Sequence, residues 1–233
     1  MLFRQLFEPQ SSAYTYLIAS EESREAVLVD PVLETVERDL QILADLELAL
    51  RFTVETHIHA DHVTSASRLR ERTGCKCAVP EKSGAAHVDL EVREGEPIRF
   101  GSLELQPLYT PGHTDDHHAY FLDVPGAARL FTGDALLIDG CGRTDFQNGD
   151  AATLYRSVHD KLFALPNDTL VYPGHDYQQR HVSSIGQERA RNPRLGGGKT
   201  LDEFIAIMGS LNLPRPAKMD IAVPANRECG QLH

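Results

Sequence analysis

Behind an apolar segment, the stretch Thr56-His57-Ile58-His59-Ala60-Asp61-His62 crowds four imidazole or carboxylate side chains into six residues. Any fold adopted by this chain has to hold that crowd together. Imidazole nitrogen and carboxylate oxygen suit divalent Zn, Fe, Mn or Ni, and no thiolate lies in the run to close a structural zinc site. Open coordination, and hence catalysis, is the first implication. A single H-x-H pair is more often part of a histidine-rich surface loop. Here the partners recur downstream, in Thr110-Pro111-Gly112-His113-Thr114, Thr132-Gly133-Asp134 and Pro173-Gly174-His175-Asp176. Each follows a short apolar run, which puts each on a loop at the end of a strand.

The chain has 233 residues and 41% hydrophobic content, enough for one large α/β domain or two small ones. Its net charge of −11 argues against a nucleic-acid surface, and no basic stripe interleaved with aromatics offsets it. The four cysteines Cys75, Cys77, Cys141 and Cys229 form no paired framework. Neither a charged-then-apolar leader nor a long apolar stretch is evident, so a soluble, reducing, cytoplasmic setting without a membrane partner is expected. Cys75-x-Cys77 is one residue short of C-x-x-C and reads as a pair of strand-edge cysteines without chemistry.

Residues 14–18 and 26–30 read as a strand pair across a polar turn. Thr35 is expected to cap a helix in which Val36, Leu40 and Leu43 share one face, and residues 50–55 return as the strand feeding the histidine loop. A second helix over 65–73 ends at Gly74, a residue suited to a left-handed C′ position. Strands follow at 77–79, 98–100, 103–108, 118–122 and 129–132. Asp150 caps a third helix with Leu154, Val158 and Leu162 on one face, and 169–172 is the last clear strand. Beyond His175 the chain turns helical, with a capping box Thr200-x-x-Glu203 ahead of Leu201, Phe204, Ile205, Met208 and Leu211. The pattern alone predicts an α/β protein, a single domain over 1–233 with a helical C-terminal extension from about 181.

The four ligand-bearing pieces, in their order along the chain, resemble the metallo-β-lactamase superfamily. Within it, the run from Gly133-Asp134 through Gly140-Cys141-Gly142-Arg143-Thr144-Asp145-Phe146-Gln147 resembles the persulfide dioxygenase branch, as do Asn192-Pro193-Arg194-Leu195 and Val223-Pro224-Ala225-Asn226. The resemblance implies a four-layer αβ/βα sandwich of two mixed β-sheets flanked by helices. It also implies an iron-dependent oxidation of glutathione persulfide, by O2 and water, to sulfite and glutathione, with one Fe(2+) per chain on His57, His113 and Asp134. Two histidines and one carboxylate are the set that non-heme Fe(II) oxygenases use, because open positions remain for substrate and O2.

Every ligand of the hydrolytic, binuclear branches is present as well. His59, Asp61, His62 and His175 can either orient the iron ligands through hydrogen bonds or hold a second metal. The alternative function is therefore a glyoxalase II-like hydrolase of acyl-glutathione thioesters, and a non-enzymatic metal or thiol sensor is a third. Against the hydrolase stand the 140–146 run and the lack of a longer basic helical part after His175. A glutathione derivative needs local cations on so acidic a protein. The resemblance assigns glutathione contacts to Arg143 and Tyr177, with Arg194 a further candidate, while Arg189 and Arg191 read as helix-surface salt bridging. Asp115, Asp116, His117 and His118 read as a solvated loop in which one residue could hold a ligand's second nitrogen. His87, His159, His181 and His233 read as surface. Cys141 between two glycines reads as structural rather than catalytic, and the oligomeric state, monomer or homodimer, stays open.

Overall fold

The computed structural model describes residues 1–126 and 128–232, and its strands form two six-stranded sheets. The first takes β1 (Leu2–Glu8), β2 (Ala13–Ala19), β3 (Glu25–Val29), β4 (Ala49–Val54), β5 (Lys76–Pro80) and β6 (Leu90–Val92), each hydrogen-bonded to the next. Its opening meander is antiparallel, and β3 to β6 are parallel. Parallel neighbours need long crossovers, and the helices α1 (Val36–Asp45) and α2 (Ala66–Thr73) provide two of them. The second sheet takes β7 (Ile98–Phe100), β8 (Leu103–Tyr109), β9 (His118–Leu122), β10 (Arg129–Gly133), β11 (Leu170–Pro173) and β12 (Ser183–Ser184), again in chain order. Only β10 and β11 are parallel there, joined through α3 (Ala151–Arg156), which continues as a π-helical stretch to Leu162. Three helices follow β12: α4 (Ile185–Arg191), α5 (Leu201–Ser210) and α6 (Met219–Arg227).

Strand alternation builds the layers. In β2, Tyr14, Tyr16 and Ile18 face Phe131, Tyr120 and Tyr172 of the other sheet, while Leu17 and Ala19 face the α1 and α2 side with Leu43 and Leu69. On the outer face of the second sheet, Leu130 and Val171 pack against Leu154 and Val158 of α3 and Phe204 of α5. The result is the expected sandwich of two mixed sheets flanked by helices. Because sheets and helices cover each other, the polar ligands are left to the loops after β4, β8, β10 and β11, where His57, His113, Asp134 and His175 lie.

Local signals mostly did their work. Gly74 ends α2 at φ 74°, Asp150 accepts from Thr153 N at 2.7 Å, and Thr200 and Glu203 form a reciprocal capping box. Thr35 differs: its hydroxyl donates to Val32 O within a preceding 3₁₀ turn and caps nothing. The edge strands β1 and β6 were not expected from the sequence. β1 is mostly half-buried and interrupted by Arg4 and Gln5, and β6 has three residues, so neither has a clean alternation.

Phe131 stands between the sheets against Phe3, Tyr16 and Tyr172, with ring centroids 6.0, 5.0 and 5.7 Å away. Phe131→Ala should cost roughly 3–5 kcal/mol of stability, read from urea unfolding, because the cavity opens where both sheets meet. A loss below about 1 kcal/mol would mean that the sheets do not depend on this aromatic layer.

Candidate metal centre

The histidine loop is held from several directions before any side chain reaches a metal. At the end of β3, the Asp30 carboxylate accepts from Thr56 N at 2.7 Å and from Thr56 Oγ1 at 2.9 Å. Asp116 Oδ2 accepts from Ile58 N at 2.9 Å, and Gln147 Nε2 donates to Ile58 O at 2.6 Å. Asn226 of α6 donates to the carbonyls of His59 and His62, each at 2.9 Å, and its Oδ1 accepts from Thr64 N at 2.8 Å. One side chain, 162 to 167 residues downstream, thus replaces the ladder that an irregular buried loop lacks.

His57, His113 and Asp134 converge, with one ligand atom from each lying within 4.8 Å of the others. Their hydrogen bonds select tautomers. Thr56 Oγ1 spends its proton on Asp30, so at 2.9 Å from His57 Nδ1 it can only accept, and His57 keeps its lone pair on Nε2. His113 Nδ1 donates to the carbonyl of Arg143 at 2.7 Å, which leaves its Nε2 free, 3.6 Å from Asp134 Oδ2. Burial, reinforced by the neighbouring histidines, holds His57 well below the usual imidazole range and therefore neutral. For Asp134, burial opposes ionisation, but the charge and hydrogen bond of His175 outweigh it and keep the carboxyl below its ordinary range. A neutral imidazole at His57 and an ionised carboxylate at Asp134 are protonation states that a divalent cation requires.

The remaining four residues of the motif lie beside this group. His175 donates from Nδ1 to Asp134 Oδ1 at 2.7 Å and from Nε2 to Asp61 Oδ2 at 2.9 Å. Burial disfavours its charge, yet the two carboxylates hold it well above the ordinary value as an imidazolium. His59 Nε2 faces Asp30 at 3.2 Å and Glu55 at 3.4 Å, and the same balance raises it. His62 Nδ1 meets Asp61 at 2.9 Å. His59, Asp61 and His62 form a second convergent group, and His59 Nδ1 and His62 Nε2 are buried with no hydrogen-bond partner among the described residues. The donor chemistry of both groups fits a metal.

Three glycines make room for Asp134. A Cβ on Gly133, at φ 47°, would sit 2.5 Å from His117 Nε2 and 2.8 Å from Thr56 Oγ1. On Gly142 it would meet Asp134 O and His113 Nδ1 at 2.6 Å, and on Gly174 it would meet Asp134 Oδ1 at 2.7 Å. A cavity of about 980 Å³ opens over His57, His113 and Asp134, and Arg143, Tyr177 and Arg194 all line it. Arg143 grips Asp145 in a bidentate pair at 2.6 and 2.7 Å and donates to the carbonyls of Pro214 and Leu213. Tyr177 is 78% exposed at the rim, and Arg194 Nη1 donates to Cys141 O at 2.7 Å.

Several expectations need correction. Only Asp115 of the 115–118 run is exposed. His117 is fully buried, accepts from Asp134 N at 3.1 Å and turns its Nδ1 to Thr110, and His118 bonds to Asp116 O. These residues brace the site rather than face solvent. His159 is half-buried on Tyr155 and bonds Leu195 O, while Arg189 binds Phe163 O and Asn167 instead of making surface salt bridges. His233 lies outside the described residues. Burial pushes the Cys141 thiol up to about 11, so it is inert packing beside Met208. Asp30, Asn226 and Arg180 escaped sequence reading, although Arg180 ties Asp176 to Asp139 and Ile138 O along the cavity wall. Only the tail Val223-Pro224-Ala225-Asn226, singled out above, carried a signal for any of them.

Residues 9–175 match the family model described as the metallo-beta-lactamase superfamily. The chain is 52% identical to "Persulfide dioxygenase ETHE1, mitochondrial" of Mus musculus, over 99% of this chain and 89% of that protein. The crystal structure of ETHE1 from Myxococcus xanthus is 55% identical and superposes with a TM-score of 0.95, covering 99% of this chain and 100% of that one. A probable hydroxyacylglutathione hydrolase of Schizosaccharomyces pombe is more distant, 33% identical over 83% of this chain and 76% of that protein.

Asn226→Ala would leave two buried carbonyls and one buried N–H without their partner. A loss of about 2–4 kcal/mol is expected in denaturant unfolding, together with faster metal release to a chelator. Unchanged stability and unchanged release would show that the loop stands without its clamp.

Proposed function

The chain belongs to the metallo-beta-lactamase superfamily, and from that premise we propose that it is an iron-dependent persulfide dioxygenase. Its reaction converts glutathione persulfide, O2 and water into glutathione and sulfite. The observation that carries this reading is likeness to persulfide dioxygenases along nearly the whole chain. The glyoxalase II-like reading rests on more distant relatives, and the engagement of both His175 nitrogens with carboxylates weighs against it.

His57, His113 and Asp134 would hold one Fe(2+), and iron, unlike zinc, supplies the redox chemistry that joining O2 to a sulfur anion demands. The chain's own residues do the rest. Asp30, acting through Thr56, and the Arg143 carbonyl fix which nitrogen each histidine presents. His175 clamps Asp134 in one orientation, and His59, Asp61 and His62 fill the space behind it. Leu137, Ile138 and Cys141 give the cavity apolar wall that limits water around the sulfur. Arg143, Arg194 and Tyr177 would take the glutathione moiety, whose two carboxylates suit guanidinium groups. Asp145 takes the bidentate edge of Arg143 and the carbonyls of Pro214 and Leu213 take two more of its donors, so a glutathione carboxylate would share or displace these partners. We also read the chain as one domain with a helical extension from about 181, working in a reducing compartment such as the cytoplasm. Four buried cysteines, all free thiols, support that setting.

The deciding experiment measures O2 uptake and sulfite release with glutathione persulfide on protein of known metal content, beside lactoyl-glutathione hydrolysis. Uptake scaling with about one iron per chain is expected, whereas thioester cleavage with about two metals per chain would overturn the proposal. Asp134→Ala should lose both iron and uptake, and full iron with retained turnover would remove Asp134 from the ligand set. Arg143→Ala should raise KM about tenfold, or ~1.4 kcal/mol, with kcat little changed. A lost kcat at constant KM would contradict its role in recognition.

A further inference from the structure

Between α5 and α6 the chain runs along the cavity without regular structure: residues 211–216 belong to no helix or strand, and residues 213–218 line the cavity. Pro214 and Pro216 offer no N–H to a ladder, so side chains have to hold this segment. The ties come from Arg143, Lys218 and Arg215. Arg143 Nη1 donates to Pro214 O at 2.6 Å and Nη2 to Leu213 O at 3.2 Å. Lys218 Nζ meets Glu34 at 2.6 Å, and Arg215 pairs with Asp220 at 2.5 Å. Both ion pairs are open to water, where such a pair contributes little. The Arg143 side chain is only 15% exposed and comes from the loop after β10, so it is the firm tie between this segment and the second sheet. It has little left for a ligand. A guanidinium carries five N–H donors. Two of them go to Asp145 and two to the carbonyls of Leu213 and Pro214, which leaves one, and the Phe146 ring lies 4.5 Å from Cζ. Arg180, Arg215 and Lys218 along the cavity are likewise paired with carboxylates, whereas Arg194 meets none among the described residues. A ligand carboxylate therefore finds its open guanidinium at Arg194.

We propose that Arg143 is a positioning residue: it pins residues 211–218 as a fixed wall of the cavity, and the wall, more than the Arg143 charge, sets the affinity for the small thiol that carries the persulfide. The inference rests on the persulfide reading given above. Pro214 and Pro216 narrow the wall's freedom through their fixed φ, and the pin removes much of what is left. A wall held before the ligand arrives needs no ordering on binding, so its effect falls on KM rather than on kcat. The two ends of Arg143 serve different neighbours. Its guanidinium holds the wall, while its main-chain carbonyl accepts from His113 Nδ1 at 2.7 Å. A substitution of the side chain therefore releases the wall and leaves the metal ligand's partner in place.

Arg143→Lys tests the pin against the charge, because a lysine keeps the charge but has one nitrogen and cannot span Asp145 and two carbonyls. Its KM for glutathione persulfide should rise about as far as that of Arg143→Ala, with kcat and iron content little changed. A lysine that restores the wild-type KM would make charge the function and overturn the proposal. Pro214→Gly with Pro216→Gly loosens the wall without touching a charge. This variant should raise KM several-fold by itself and add nothing to Arg143→Ala. Rises that multiply in the combined variant would show Arg143 and the wall acting separately. Trypsin supplies a readout that does not depend on turnover. Cleavage after Lys218, followed by mass spectrometry on the full-length, metal-loaded protein, should run several-fold faster in both Arg143 variants than in the wild type, and equal rates would refute the pin. A wild type that does not oxidise glutathione persulfide would remove the persulfide reading and the KM claim with it, while the cleavage rates would still decide on the pin.

Discussion

The structure depends on packing His57, His59, His62, His113, His117 and His175 together with Asp30, Glu55, Asp61 and Asp134 at one edge of two sheets, largely away from water. Each polar atom in such a crowd needs a partner or costs roughly 1–3 kcal/mol. Most of the partners come from within the crowd. Asp30 orders Thr56 and, through it, His57. His117 takes the Asp134 N–H, and His175 bridges Asp61 and Asp134. Bonds that look like ordinary satisfaction of buried groups therefore also decide which lone pairs face the cavity.

Tight spacing imposes a second condition on the backbone. Asp134 is approached by His113 and His117 from the loop after β8 and by His175 from the loop after β11, and the glycines at 133, 142 and 174 are positions where a side chain would collide with Asp134 or its neighbouring histidines. The four-layer fold suits this requirement, because its strands bring several loops to one edge while the helices seal the apolar faces. Asp116, Gln147 and Asn226 then hold the loop backbones that the sheets leave unpaired.

Most strands and helices and the ligand run were legible in the sequence because they write local patterns, whereas the layering came from the family resemblance. The polar turn between β2 and β3, helix stops such as Gly74, and the H-x-H-x-D-H crowd each fit in a short window. What escaped depends on distant or ambiguous neighbours. His117 sits beside exposed Asp115 in a polar run, and only its position behind Asp134 makes it an interior residue. Asn226 lies in an amphipathic helix, and nothing near it announces two carbonyls of a loop far back in the chain.

Charge balance bears on how many metals such a crowd can hold. Neighbouring histidines overcome burial and hold Asp61 and Asp134 below the ordinary carboxyl range, while carboxylates on either side hold His59 and His175 as imidazoliums. A second cation would add two positive charges and would have to displace the proton on His175, which two carboxylates hold in place, and the one on His59, flanked by Asp30 and Glu55. Donor identity alone allows either one metal or two. Each imidazolium that the carboxylates stabilise is a ligand withheld until its proton leaves, so filling either group with a metal is coupled to proton release.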